Sequence, residues 1–234
     1  MERTERDARV AEIAALAQPL RRDLYALLVE RDGWVSRDDA AEALDLPRSV
    51  AAFHLDKLVE AGVVDARFER PPGRGGPGAG RPAKRYRRST REVTVSLPDR
   101  HYDLAGALLA DAISDATASG RPPRITLADA ARRTGRDIGS AIRAELVTTN
   151  SPDAGRAAAL TALERLGYEP HQRGNDIVLV NCPFHRLAQR HRPLVCGMNL
   201  DLLVGLTEGL GADGQLSPRL DPVEGLCCVR LEAS

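Results

Sequence analysis

The sequence predicts an α+β fold made of two consecutive domains, residues 1–92 and 93–234. Apolar residues recur at helical spacing through most of residues 1–62. A Gly- and Pro-rich stretch over residues 71–82 separates two short strand-like segments, as the tip of a hairpin does. After residue 93, long helical patterns are followed by short alternating apolar segments. The length of 234 residues fits one large or two modest domains.

The first 62 residues are predicted to form a series of helices. Pro19 is expected to begin the second helix, and Gly33 to end it. Ser36 is expected to cap the next one, because Asp39 follows at the spacing of a capping box. A further helix is predicted from about Arg48 to Ala61. Helix, tight turn and helix therefore precede the predicted hairpin.

Charge is distributed unevenly along the chain. The 33 basic and 33 acidic side chains cancel, which excludes a uniformly basic coat protein, and 43% hydrophobic residues exclude a disordered acidic chain. Residues 64–92 nevertheless carry nine basic and three acidic side chains. A segment rich in charged residues is, by itself, typical of a solvent-exposed face. Because this basic segment directly follows a helix-turn-helix pattern, it indicates a wing that contacts DNA. We predict that residues 1–92 form a winged helix-turn-helix that binds double-stranded DNA.

Two segments of this domain resemble ArsR-like bacterial regulators. Residues 47–58 (PRSVAAFHLDKL) resemble their recognition helix, and residues 80–87 (GRPAKRYR) resemble the return strand of their wing. The resemblance covers roughly residues 10–90. Ala52 and Phe53 stand where polar base readers are usual, so they would contact thymine methyl groups, or Phe53 would lie partly in the core. The residues expected to contact DNA are Arg48, Ser49, Ala52, Phe53 and Lys57 on the helix, and Arg74, Arg81, Lys84 and Arg85 on the wing.

All cysteines of the chain lie in its last quarter, at positions 182, 196, 227 and 228. The sequence shows neither a signal peptide nor an apolar run of the ~20 residues that cross a membrane, so we expect a cytoplasmic protein without membrane contact. In a reducing compartment, clustered cysteines are more often ligands or redox groups than disulfides. A helix start near Pro183 is expected to favour the Cys182 thiolate. The alternative is that the thiols are small apolar core residues.

The C-terminal part resembles the sensor domain of SufR-type iron–sulfur regulators. The shared segments are NCPF at 181–184, LVCGMN at 194–199 and a terminal strand that carries cysteine, and the resemblance covers roughly residues 165–232. It implies a homodimer with a 4Fe-4S or 2Fe-2S cluster, with Cys182 and Cys196 as two ligands. The third would be Cys227 or Cys228, and alternation along the terminal strand favours Cys227. The fourth would be the other member of that pair or His185, and zinc is an alternative because a Cys₃His site uses the same residues.

Together with the patterns above, the two resemblances imply a transcriptional repressor whose affinity for its DNA operator is controlled by an iron–sulfur cluster. The alternative is a winged-helix regulator that responds to zinc or to a small effector. Catalysis is not expected, because the Gly-x-Ser-x-Gly elbow, the P-loop and the His-Glu-x-x-His motif are missing from the sequence. A nucleophilic pair of Cys182 and His185 would leave the other three cysteines unexplained.

Overall fold

The structure is a computed structural model that describes residues 3–69, 82–146 and 154–234. The chain divides into two compact units, one that ends at Val95 and one that extends from Ser96 to Ser234. The sequence places the domain boundary a few residues earlier, after residue 92.

The first unit consists of helices followed by an antiparallel sheet. Its elements are α1 (Arg3–Ala15), α2 (Pro19–Glu30), β1 (Val35–Ser36), α3 (Arg37–Ala43), α4 (Arg48–Glu60), β2 (Val64–Glu69) and β3 (Ala83–Arg88), with the strands in the order β1-β3-β2. Pro19 is the first residue of α2, as predicted. The predicted capping box is also confirmed, because Asp39 N donates to Ser36 Oγ at 3.1 Å and Ser36 N donates to Asp39 Oδ2 at 3.0 Å.

A small apolar core holds α4 against α2 and the sheet. Leu24 and Leu28 of α2, Leu55 and Leu58 of α4, and Tyr86 of β3 are all buried. Because the leucines repeat at helical spacing, each helix turns one apolar side inward. The opposite side of α4 is left to solvent, which is the arrangement that a recognition helix needs.

The second unit joins a helical layer to an antiparallel sheet. Its elements are α5 (Tyr102–Ser119), α6 (Pro123–Leu146), α7 (Ala154–Arg165), β4 (Pro170–Arg173), β5 (Asp176–Leu179), α8 (His185–Arg190), α9 (Arg192–Leu210), β6 (Leu216–Leu220) and β7 (Val229–Ala233). The sheet order is β4-β5-β7-β6. The break that was predicted near Pro193 separates α8 from α9.

Glycines let α6 and α9 approach until their backbones touch. A Cβ atom on Gly135 of α6 would overlap the carbonyl oxygen of Leu202, and one on Gly205 of α9 would overlap that of Arg132. Gly139 and Gly209 continue the same contact one turn further along each helix. This close contact fixes α9, the helix that carries Cys196, in the core of the unit.

Helix α9 is also the one element of the described ranges that is long and apolar enough to cross a membrane. Most of the apolar stretch is buried inside the second unit, where α9 packs against α6. Its composition is therefore accounted for by its place in the core.

The last strand begins later than the sequence predicts. It starts at Val229, so Cys227 and Cys228 lie in the loop before it and the alternation rule for strands does not apply to them. Both side chains are buried, Cys227 at 4% exposure and Cys228 at 7%. The loop is held at each end, because Cys227 N donates to Leu179 O at 2.8 Å and Asp221 N donates to Cys228 O at 2.9 Å.

Strand β6 was not predicted at all. It contains Pro218, which lacks the N–H that a central strand would use. The sheet accepts this proline because β6 lies at an edge and pairs on one side only, with β7.

Candidate functional site

The outward side of α4 presents the residues expected to read DNA. Arg48 and Ser49 are exposed, and Ala52 is half-buried. Phe53 is 57% exposed, so it is not a core residue. The ammonium of Lys57 lies 5.9 Å from the centre of the Phe53 ring. This surface therefore combines two apolar groups with flanking cations.

Both cations of this surface take part in exposed ion pairs. Arg48 Nε lies 2.5 Å from Asp38, and Lys57 Nζ lies 2.6 Å from Glu60. Exposed pairs of this kind contribute about 0–1 kcal/mol each. Arg48 and Lys57 can therefore exchange their carboxylate partners for DNA phosphates at small cost.

Asp56 of α4 fastens the wing to the recognition helix. Its Oδ1 accepts hydrogen bonds from Lys84 Nζ at 2.7 Å and from Tyr86 Oη at 2.8 Å, both on β3. Partial burial alone would raise the pKa of Asp56, but these two hydrogen bonds outweigh it and lower that pKa. Burial, and then the Asp56 carboxylate, raise the pKa of Tyr86. Lys84, which the sequence predicts to contact DNA, is thus engaged within the unit and 21% exposed.

Trp34 lies between guanidinium groups at the base of the wing. The Arg67 and Arg87 groups stand 4.3 and 4.6 Å from the centre of its ring, a cation–π arrangement. Arg85 Nη1 donates to the Trp34 carbonyl at 3.2 Å, and Arg85 Nε lies 3.2 Å from Glu69. Arg67 pairs in register with Arg85, and Arg87 lies two residues further along β3. Arg67, Arg85 and Arg87 therefore share one face of the hairpin. Arg74 and Arg81, the other wing residues of the prediction, lie outside the described residues.

The four cysteines meet in the second unit although they come from three elements. Cys182 follows β5, Cys196 is in the first turns of α9, and Cys227 and Cys228 precede β7. All four are buried, with no disulfide among them. Cys182 is hydrogen-bonded to Cys227, Cys227 to Cys228, and Cys228 to Cys196. The structure therefore places the four thiols, which we call the thiol cluster, in one continuous chain of contacts.

The surroundings of Cys182, Cys196 and Cys227 favour the protonated thiols. The hydrogen bond with Cys227, and then burial, raise the pKa of Cys182. The hydrogen bond with Cys182 lowers the pKa of Cys227, but the hydrogen bond with Cys228 and burial outweigh it and raise that pKa to about 12. The helix start was expected to favour the Cys182 thiolate. A backbone hydrogen bond from Phe184, directly before α8, does lower the pKa of Cys182, but Cys227 and burial have the larger effect and raise that pKa overall.

A cavity of about 580 Å³ adjoins the thiol cluster. Two cations line it. Burial raises the pKa of Cys196 and Arg192 offsets part of that rise, and Arg100 likewise offsets part of the rise in the pKa of Cys182. His185 also lines it, with Nε2 3.0 Å from Gln189 Nε2. The cavity thus offers sulfur and imidazole donors together with positive charge.

Asn199 contributes a hydrogen bond to one sulfur. It lies on α9 at 1% exposure, and its Nδ2 donates to Cys227 Sγ at 3.3 Å. Its Oδ1 accepts a hydrogen bond from the hydroxyl of Tyr168, which is also buried. The amide oxygen and the amide nitrogen of Asn199 therefore both form hydrogen bonds in an apolar interior, and the nitrogen donates to Cys227.

The thiol cluster brings together sulfur donors of the kind that metal sites use. Within residues 3–69, 82–146 and 154–234, no three His, Cys, Asp or Glu side chains are arranged to hold one metal ion. A zinc ion needs its sulfur ligands at about 2.3 Å from one point. An iron–sulfur cluster instead spreads its irons over a core that thiolates surround. Four thiols beside a cavity supply the sulfur donors that either group uses, so the chemistry of the residues present fits an iron–sulfur cluster and fits zinc as well.

Comparison with protein families identifies the first unit. Residues 16–67 match a family described as a helix-turn-helix domain. The matched segment extends from the turn between α1 and α2 to the middle of β2. This chain contains a helix-turn-helix domain. Comparisons with curated proteins and with solved structures gave no match. The helix-turn-helix domain supports a winged-helix transcriptional regulator that binds DNA.

Several residues that contact the sites were missed in the sequence. Arg67 lies on β2, where the alternation of a strand was a usable signal, and Trp34 directly precedes β1. Asn199 was visible as a polar residue in an apolar helix. Arg100 and Tyr168 gave no local signal, because their contacts join residues far apart in the chain.

Proposed function

We propose that this protein is a homodimeric transcriptional repressor whose operator affinity depends on an iron–sulfur cluster held by the C-terminal thiols. The observation that carries the proposal is the meeting of all four cysteines beside one cavity with two arginines. Reduced thiols in this number suit a cytoplasmic protein. The helix-turn-helix domain provides the DNA-binding half of the proposal.

Cys182, Cys196 and Cys227 are the proposed cysteine ligands, with Cys228 or His185 as the fourth. Cys227 is favoured over its neighbour by the amide of Asn199, because an N–H donor stabilises the negative charge on a thiolate. Arg100 and Arg192 offset part of the charge that several thiolates would bring into a buried place. When bound, such a cluster supplies a redox centre whose charge changes with oxidation state.

The proposed mode of DNA reading follows from the surface of α4. This helix would enter the major groove, where Ala52 and Phe53 suit thymine methyl groups and Arg48 and Lys57 suit phosphates. The arginine face at Trp34 would lie along the DNA backbone. A dimer would place two such helices in half-sites about one helical turn apart.

Purification without air tests the proposal. We expect iron and acid-labile sulfide in equal amounts, with visible sulfur-to-iron absorption. Cys182→Ala, Cys196→Ala and Cys227→Ala should each lose both. His171→Ala, on a strand away from the cavity, is the control and should keep them. A protein with zinc and no sulfide, or with no metal, would contradict the iron–sulfur proposal.

The fourth ligand is found with two further variants. If Cys228 is the ligand, Cys228→Ala loses iron and His185→Ala keeps it; if His185 is the ligand, the result is reversed. Loss of iron in neither variant would contradict the choice between these two residues.

A further inference from the structure

Residues 96–101 begin the second unit and follow the first unit by one peptide bond. We call them the entry segment. Arg100 N donates to Ser96 Oγ at 2.8 Å, so the segment folds back on itself. His101 N donates to the carbonyl of Pro183 at 3.2 Å, and Pro183 is the residue after Cys182. The entry segment is thus bound to the loop that carries a thiol.

Arg100 joins the same two parts through its side chain. Its Nη1 donates to the side-chain oxygen of Asn181, to the carbonyl of Cys182 at 3.2 Å and to the carbonyl of Asp99 at 3.1 Å. One guanidinium therefore contacts the backbone of Cys182 and that of the entry segment together.

Asn181 completes the connection from the other side. It is 6% exposed, and its Nδ2 donates to Asp99 O at 3.0 Å and to Gly167 O at 2.6 Å. Gly167 has φ +75°, and a Cβ there would lie 2.9 Å from Asp99 Cβ, so the entry segment packs closely on this turn. Each polar atom of the Asn181 amide thus has a partner, and most of these partners belong to the entry segment.

We propose that Arg100 and Asn181 are positioning residues that transmit the state of the thiol cluster to the entry segment, and from there along the chain to the helix-turn-helix domain. This inference rests on the proposed function. Cys182 contacts Cys227 on one side and Arg100 on the other. A change in the separation of the thiols acts on the Cys182 loop, and the hydrogen bonds of that loop carry the movement to the entry segment, which follows Val95 of the first unit directly in the chain.

Two variants separate transmission from cluster binding. Arg100→Lys keeps the positive charge but loses the planar guanidinium whose Nη1 donates to all three acceptors. Asn181→Asp keeps the acceptor for Arg100 but loses both donors to Asp99 and Gly167. Arg124→Lys, at an exposed position of α6, is the matched control. Iron and sulfide content is measured for each protein, and DNA affinity is measured by fluorescence anisotropy before and after removal of the cluster. The probe is a duplex that the wild-type protein selects from random-sequence DNA.

We expect Arg100→Lys and Asn181→Asp to keep iron and sulfide. Their DNA affinities with and without the iron–sulfur cluster should become similar. The wild type and Arg124→Lys should show at least a tenfold ratio between the two states, and Arg100→Lys and Asn181→Asp less than a threefold ratio. A full ratio in both variants would overturn this inference alone. A wild-type protein whose DNA affinity ignores the cluster would overturn the proposed function, and the inference with it.

Amide hydrogen exchange provides a readout that does not need a folded variant. In the wild-type protein, removal of the cluster should speed the exchange of the Arg100 and His101 amides, which donate to Ser96 and Pro183. Exchange of the α2 amides serves as the internal control and should stay unchanged. Equal exchange of the entry segment in both states would overturn the inference even if Arg100→Lys and Asn181→Asp fail to fold.

Discussion

The two units place their functional side chains in opposite environments. In the first unit, the cations of α4 and of the wing stand in exposed or half-exposed ion pairs on an otherwise ordinary apolar core. In the second unit, the thiols and the amide of Asn199 are buried and hydrogen-bonded to one another. A surface that reads DNA has to leave its groups available to a partner, whereas a sensor has to make each group depend on its neighbours. The effects of substitutions on DNA binding should therefore be additive in the first unit, whereas the effects of substitutions at the thiols and Asn199 should be non-additive in the second.

The largest loss of stability is expected from a substitution where α6 packs against α9. Gly205→Ala would push a methyl group into the backbone of Arg132, and overpacking of this kind costs about 3 kcal/mol. The free energy of unfolding of the second unit, measured with urea, should fall by that amount, and iron content should fall with it. Gly106→Ala on α5, where a Cβ meets nothing within 4 Å, should not destabilise the protein. Equal stability of both variants would show that the helices are not in backbone contact.

A smaller and more local effect is expected at Phe53. If its exposed ring packs on a thymine methyl group, replacing that thymine with deoxyuridine should weaken wild-type binding by about 1 kcal/mol. Phe53→Ala should bind both duplexes equally well. Anisotropy titrations with the two duplexes measure the difference. A preference for thymine that survives in Phe53→Ala would assign the methyl contact to another residue.

Two basic residues of the wing should behave differently. Arg88 is exposed at the end of β3, so Arg88→Met should weaken DNA binding and make the plot of log affinity against log salt less steep by about 1. Lys84→Met removes the partner of Asp56, so we expect about 1 kcal/mol lower stability and a nearly unchanged slope. Titrations at several salt concentrations separate the two effects. Identical slopes for both variants would place Lys84 in contact with phosphate.

The smallest effect concerns Glu208 of α9. Hydrogen bonds from Arg132, against the opposing effect of burial, and from Arg136 lower its pKa from 4.5 to about 2. A carboxylate with a lowered pKa stabilises the fold above its unfolded pKa, so this contribution is present above about pH 4.5 and is lost as the pH falls toward 2. Because the arginines are half-exposed, we expect no more than about 1 kcal/mol. Glu208→Gln should be less stable than the wild type at pH 6, and the difference should shrink steadily as the pH falls from 4.5 to 2. An unchanged difference at both pH values would rule out the ion pair as its cause.

The same contrast explains what the sequence could predict. Helix starts at Pro19 and Ser36 depend on residues within one turn, and they were found. Phe53 was correctly placed on the outward side of α4 by resemblance, although its exposure stayed open until the fold was known. Local patterns of this kind cover most of the first unit.

The second unit depends on contacts between distant residues. Four cysteines indicated a site, but the start of β7 after Cys228 and the hydrogen bond from Asn199 to Cys227 follow from the sheet and from helix packing. The raised pKa of Cys182 has the same origin, since its main cause is Cys227. Spacing in the sequence carries no record of these contacts, and it therefore predicted the donor set without its arrangement.

The central claim is that the thiol cluster controls DNA affinity, and one titration tests it most directly. A single anaerobic preparation is divided into two halves. In one half the iron–sulfur cluster is removed with a chelator and a mild oxidant, and the thiols are then reduced again. Both halves are titrated against the same selected duplex. We predict dissociation constants that differ at least tenfold, with the difference absent in Cys182→Ala. Equal dissociation constants in two halves that differ in iron and sulfide content would contradict the claim.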